Sequence, residues 1–249
     1  MDKTGPRFLA NSPVRRTTLL RRIDAPMSVD VIISYDGTSN DDDALALGRL
    51  LTRDATRLAL AYVRHAPEFD PSREALAQHD AEHRLEHGAA LLGNPDIPRH
   101  VVFGASTGEG LEELAASEGA SIIVFGSDYR TPPGHAEPPT SAQRLLEVGA
   151  TGIGVAAAGL RADPDATIGS IAVLPTEGDD AAQQTADALT AKLGAQIVAG
   201  DAPTADLIVV GSQPGAPAGR IALSGSARTT LDASRGSVLV VPSGKPLQI

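Results

Sequence analysis

The chain of 249 residues has no cysteine and no tryptophan, and its aromatic content is only 3%. Without cysteine there can be no disulfide, no thiolate metal site and no thiol nucleophile. With so few rings, the core must be assembled from Ala, Val, Leu and Ile. Positive charge is also short: 21 Lys and Arg stand against 31 Asp and Glu, a net charge of -10. That balance argues against nonspecific nucleic-acid binding and against an anionic membrane surface as partner. No apolar run approaches the ~20 residues that a membrane-spanning helix needs. A hydrophobic fraction of 42% is enough for two small domains or one larger one, and 25 Gly with 18 Pro imply many tight connections.

The most informative stretch runs from Asp206 to Pro242. Leu207 to Val210 is a continuous apolar, β-branched run, as expected of a parallel strand buried on both faces. Gly211 follows at once, and Pro214, Gly215, Pro217 and Gly219 mark a loop. Gly225-Ser226 then opens a helix pattern over 225–234, and Val238 to Val241 reads as a closing strand. Backbone N–H groups at a helix start, reached through small residues, form a natural phosphate cradle. The alternative is that these glycines serve turn geometry alone.

Upstream, Met1 to Pro26 carry six basic residues and little apolar periodicity, and no apolar segment follows Arg15-Arg16 as an export signal requires. Residues 1–27 are expected to be a disordered tail, or to precede a true start at Met27. Strands are predicted at Val31–Ser34, Leu58–Val63, His100–Phe103, Ile122–Phe125 and Ile153–Ala157. Helices are predicted from Ser39 to about Leu51, and at Arg73–Leu92, Gly108–Glu118 and Ser141–Glu147. Ser39 or Asn40 is the expected cap of the first, with Asp41, Asp42 and Asp43 at the positive end of its dipole. Alternating strands and helices argue for a parallel α/β sheet. Leu160–Asp165 reads as a linker. Beyond it the spacing predicts strands at Ile168–Leu174 and Gln196–Val198 around a helix, Asp179–Leu193.

An internal repeat is visible. Ala120-Ser-Ile-Ile-Val-Phe-Gly-Ser127 matches Ala205-Asp-Leu-Ile-Val-Val-Gly-Ser212, and the second copy is the shorter. The motif Gly215-x9-Gly225-Ser226, closed by Val-Leu-Val-Val, resembles the nucleotide-binding signature of the universal stress protein family, Gly-x2-Gly-x9-Gly-Ser/Thr. The resemblance covers nearly everything after Met27. It implies two tandem doubly wound parallel-sheet domains, over 28–160 and 166–249, the second truncated. They would pack as an intramolecular pseudo-dimer through Ile153–Ala157 and Val238–Val241, with a homodimer as a further option.

The resemblance also implies a cytoplasmic stress-response protein that binds ATP, with Mg2+, or another adenine nucleotide as a ligand without efficient catalysis. Asp36 would contact the adenosine and Val63 would lie near the base. Gly126, Ser127 and Ser141 in the first copy, and Gly211, Gly215, Gly225 and Ser226 in the second, would line the phosphates. Each copy departs from the pattern. In the first, Tyr129 stands at the second glycine, and Thr140-Ser141 replaces Gly-Ser after ten residues. In the second, Gly211-x3-Gly215 is one residue long, and the first strand ends Leu174-Pro175-Thr176 with no Asp. The competing expectation is a nucleotide-free interaction module. A more remote one is a metal-dependent nucleoside or nucleotide hydrolase, because Asp36 with Asp41 to Asp43 looks like the calcium-binding start of nucleoside hydrolases.

Other groups weigh less. His79, His83 and His87 share one helix face, a spacing open to zinc but more simply a solvated stripe. No Gly-x-Ser-x-Gly elbow follows a strand. His135 lies in the first Pro-rich loop, and Arg220 and Arg228 flank the second, where they are candidates to pair with phosphate.

Overall fold

The computed structural model describes residues 29–52, 57–199, 204–233 and 235–248. The tail expected over residues 1–27 lies outside the described residues. The first half runs β1 (Val31–Ser34), α1 (Ser39–Thr52), β2 (Leu58–Arg64), α2 (Pro71–Leu91), β3 (Arg99–Phe103), α3 (Thr107–Glu118), β4 (Ile122–Phe125), α4 (Thr140–Gln143), α5 (Leu145–Val148) and β5 (Gly152–Val155). The second runs β6 (Ser170–Leu174), α6 (Ala181–Leu193), β7 (Gln196–Val198), β8 (Thr204–Gly211), α7 (Gly225–Ala233) and β9 (Arg235–Val241).

Among the described residues nine strands form a single sheet, in the order β3-β2-β1-β4-β5-β9-β8-β6-β7. Within each half every pairing is parallel. The halves meet at one antiparallel pair, with Ile153 opposite Val240 and Val155 opposite Val238. This is the junction expected from the sequence, and it removes an edge from each half. It also turns the halves against each other: the carboxyl ends of their strands leave opposite edges of the sheet.

Both faces of the sheet are covered, which is why its strands read as apolar runs rather than alternating ones. One layer packs Leu47 and Leu51 of α1, Leu85 of α2 and Leu189 of α6 against Val31, Ile33, Leu207 and Leu239. The opposite layer packs Leu111 of α3, Leu145 and Leu146 of α5, and Leu231 of α7 against Ile32, Ile123, Ile208 and Val240. Each layer spans both halves. In the second half the chain passes from β7 to β8 without counterparts of α2, β3 or α3, so β7 is an outer strand.

Two local expectations need correction. The helix expected over Ser141–Glu147 is two short ones, α4 and α5, although Arg144 between them keeps helical dihedrals. The linker at Leu160–Asp165 contains a 3-10 turn, Leu160–Ala162, and it is anchored. The fully buried Asp43 accepts from Gly159 N–H, Arg161 N–H and the Arg161 guanidinium at 2.7–2.9 Å.

Candidate functional site

In an open α/β sheet a crevice forms at the carboxyl ends of two neighbouring strands whose connections leave in opposite directions. In the first half those strands are β1 and β4, with β2 beyond one and β5 beyond the other. A cleft of about 790 Å³ lies there, bounded by the ends of β1, β2 and β4, by Arg84 of α2, and by Pro139 and Ser141 at the start of α4.

The turn after β1 is built by carboxylates. Gly37, at φ 90°, reverses the chain. Thr38 N–H donates to Asp36 Oδ1 and to Asp41 Oδ2, both at 3.1 Å, and Asp36 N–H also donates to Asp41 Oδ2. The Asp42 N–H makes the first helical bond to the Thr38 carbonyl. Thr38, not Ser39 or Asn40, is therefore the cap of α1, and Asp41 reaches back to it as the carboxylate half of a capping box. Asn40 spans the crevice instead, donating from Nδ2 to the Ser127 carbonyl at 2.8 Å.

The three consecutive aspartates diverge. Asp41 closes the turn, Asp42 accepts from the buried Tyr35 hydroxyl at 3.0 Å, and Asp43 holds the linker. Among the described residues no group of three or more His, Asp or Glu converges as a metal site. The stripe of His79, His83 and His87 is solvent-exposed, but His87 Nδ1 approaches Tyr35 Oη at 3.2 Å. Burial and the bond to Asp42 push the Tyr35 hydroxyl well above its ordinary pKa. Burial, followed by the hydrogen bond and the repulsion from Asp36, pushes the Asp41 carboxyl up to about 7.

Asp36, Val63, Gly126, Ser127 and Ser141 all line this cleft. Val63 is buried against α3. At Gly126 a Cβ would fall on the Asn40 carbonyl, so glycine is required for α1 to pass over the end of β4. The Ser127 hydroxyl is buried and already spent: it donates to the Ala156 carbonyl at 2.6 Å and accepts from Glu137 N–H at 3.1 Å. It ties the loop to β5 and is not a free phosphate donor.

Gly211, Gly215, Gly225 and Ser226 lie at the carboxyl end of the second half, on the far edge of the sheet. They cannot join Asp36 in one site. There Thr176 lies against the end of β8, since a Cβ on Gly211 would sit 2.8 Å from Thr176 Oγ1. Gly215, at φ 80°, follows Pro214 in a turn closed by Ala216 N–H to the Gln213 carbonyl at 3.1 Å. Ser224 caps α7, accepting from Ala227 N–H at 3.0 Å. Arg220 donates to the Val148 carbonyl at 3.1 Å and pairs with Glu112 at 3.6 Å, and Arg228 lies 4.0 Å from Glu147. Both arginines thus bridge the two halves instead of facing a phosphate.

The two loops share one hydrogen-bond pattern at a spacing of 85 residues. Asp128 N–H to the Glu137 carbonyl recurs as Gln213 to Ala222, and Gly134 N–H to the Ala158 carbonyl recurs as Gly219 to Ser243. Ser127 to the Ala156 carbonyl recurs as Ser212 to Val241. The two loops therefore have the same length, and the extra residue that each shows against the signature is one shared feature.

Sequence reasoning missed Tyr35, Tyr62, Arg84 and Asp128, all of which line the cleft. Arg84 donates to Tyr62 Oη at 2.8 Å and lies over the Tyr62 ring on the β2 side. A signal was present. The six described aromatics, Tyr35, Tyr62, Phe69, Phe103, Phe125 and Tyr129, all lie at the carboxyl edge of the first half, and none follows Tyr129 in the sequence.

No family model and no curated protein matches this sequence. Solved structures do. A universal stress protein from Archaeoglobus fulgidus DSM 4304 is 13% identical with a TM-score of 0.61, over 87% of this chain and 99% of that one. A functionally unknown protein from Pseudomonas aeruginosa PAO1 is 12% identical with a TM-score of 0.53, over 88% and 94%. A third, from Pseudomonas aeruginosa UCBPP-PA14 and provisionally assigned as a universal stress protein, is 11% identical with a TM-score of 0.53, over 88% and 95%. At such identities the likeness is one of fold, and over nearly nine-tenths of its length this chain has the fold of the universal stress protein structures.

Proposed function

We propose that the chain is a universal stress protein-type ligand-binding protein. It holds an adenine nucleotide or nucleoside by the adenosine end in the first-half cleft, without efficient catalysis. A stress-response role in the cytoplasm belongs to the same proposal. The observation that carries it is the convergence of Asp36, Val63 and Gly126 on one crevice at the β1/β4 switch point, where this architecture places ligands. The concentration of aromatic side chains around that crevice supports it, because rings give a base an apolar, stackable surface. The triphosphate end with Mg2+ fits less well. Tyr129 and Thr140 carry side chains where the signature has glycine, and no carboxylate group gathers as a metal site among the described residues.

A nucleotide-free interaction module is the second reading. It is favoured by the second half, where Thr176 stands in place of the aspartate and Gly215 serves a turn. Denaturing the purified protein and identifying released small molecules by mass decides between them. Adenosine or an adenine nucleotide, lost in Asp36→Ala and kept in Gly225→Val, is the expected result. Loss in Gly225→Val alone would move the site to the second half. No released ligand, and no change in melting temperature at millimolar adenosine, AMP or ATP, would leave the interaction module standing.

A further inference from the structure

We infer that the first-half cleft selects its ligand by charge, taking an uncharged adenine nucleoside in preference to the polyphosphate. This rests on the adenosine reading above and names the ligand class within it.

A phosphate chain needs free donors that point at it. The loop after β4 has closed most of its donors on itself. The N–H groups of Asp128, Thr131, Gly134 and His135 reach the carbonyls of Glu137, Asp128, Ala158 and Pro132 at 2.8–3.1 Å. Arg130 N–H goes to Asp128 Oδ1 and Glu137 N–H to Ser127 Oγ, each at 3.1 Å. Pro132, Pro133, Pro138 and Pro139 have no N–H to give. All of these bonds but that of Arg130 recur in the loop after β8, so the closed form is a property of this loop type in the chain.

The charges of the cleft point the same way. Asp36, Asp41 and Asp128 face it. The cation that faces it, Arg84, stands on the β2 side, away from the β4 loop, and is engaged by Tyr62. A triphosphate entering beside α4 would bring its charge against carboxylates in a partly water-excluded crevice, where repulsion is much stronger than in bulk water. A nucleoside carries no such charge and gains the contact with Tyr62, Val63 and Tyr129.

The test is calorimetric titration of the full chain with adenosine, AMP and Mg–ATP at low and at high salt. Adenosine is expected to bind on the order of tenfold or more tighter than ATP, with AMP between. Raised salt should narrow the gap by screening. Asp128→Asn, which keeps the side-chain acceptor for Arg130 N–H, should also narrow it by improving ATP. ATP binding as tightly as adenosine in the native chain overturns the selectivity and leaves the adenosine reading intact. Binding by none of the three overturns both. A gap that ignores salt and Asp128→Asn overturns the charge filter as its cause.

Discussion

β1 and β6 hold equivalent places in the two halves, but β1 runs out into Tyr35-Asp36 and β6 into Pro175-Thr176. Around the first, a carboxylate turn and four aromatic residues line an open crevice. Around the second, the Thr176 side chain lies against Gly211. The loops that follow β4 and β8 share nearly all their hydrogen bonds, so the scaffold is the same in both halves while the turn after the first strand differs. A glycine-rich signature is thus a poor guide to which copy binds. The better glycine match, in the second half, belongs to the copy that has Thr176 in place of the aspartate.

The sharpest way to break the comparison is at its two buried glycines. A side chain at Gly126 meets backbone, the Asn40 carbonyl, which cannot move without lifting α1. Gly126→Ala is expected to cost about 3 kcal/mol or more, or to prevent folding. Gly211→Ala meets a rotatable side chain at 2.8 Å and should cost clearly less. Adding Thr176→Ala should recover much of that smaller loss, whereas no single truncation should rescue Gly126→Ala. Urea melts of the three variants check this; equal costs at both glycines would mean that the two strand ends are packed alike.

Next in size are the paired serines. Ser127 and Ser212 each bury a hydroxyl that donates to the end of the closing strand and accepts from the loop. Each Ser→Ala leaves a loop N–H and a strand carbonyl short of a partner, at about 1–3 kcal/mol apiece. The two losses should be similar and additive, since the sites share no partner. If Ser127→Ala left stability untouched but abolished ligand binding, Ser127 would be a ligand contact and the symmetry of the loops would be superficial.

A third contrast is in pH. Only the first half has the Asp36/Asp41 pair, because Thr176 occupies the place of Asp36. Asp41 titrates near 7 in the folded chain against about 4 when unfolded. Between those values the folded state holds the extra proton, so stability falls as pH rises through the window and the loss is complete above it. Asp41→Asn, which can still accept from Thr38, should therefore gain in melting temperature relative to the native chain between pH 5 and pH 8. A difference that stays flat over that range would show that Asp36 and Asp41 do not share a proton.

These contrasts mark where the sequence was readable. The strands were, because a run such as Leu207 to Val210 admits little else when both faces are buried. The junction of Ile153 with Val240 was implied by the family resemblance, and it gives each closing strand a partner for its free edge. Asp36, Val63 and Gly126 were picked out through the family resemblance, and the structure brings them to one cleft. What escaped was set by partners far away in the chain. Nothing local shows that Arg220 will bond the carbonyl of Val148, or that Asp43 will hold Gly159. Three adjacent aspartates read as helix-end electrostatics, yet a helix turns about 100° per residue and sends each to a different neighbour.

The smallest effect separates two glycines that the signature treats alike. Gly215 sits at φ 80°, where a Cβ meets no neighbour but the backbone itself resists a side chain. Gly215→Ala should cost about 1 kcal/mol through the left-handed conformation alone. Gly225, at the start of α7, has open space around its Cβ position and no positive φ. Alanine is the better helix former and narrows the unfolded ensemble, so Gly225→Ala should be neutral or stabilise by up to about 1 kcal/mol. Chemical denaturation resolves both. If the second-half loop is only a turn, neither change should alter the affinity of the native chain for adenosine or ATP. A loss of affinity in Gly225→Ala would mean that the second half contacts the ligand after all.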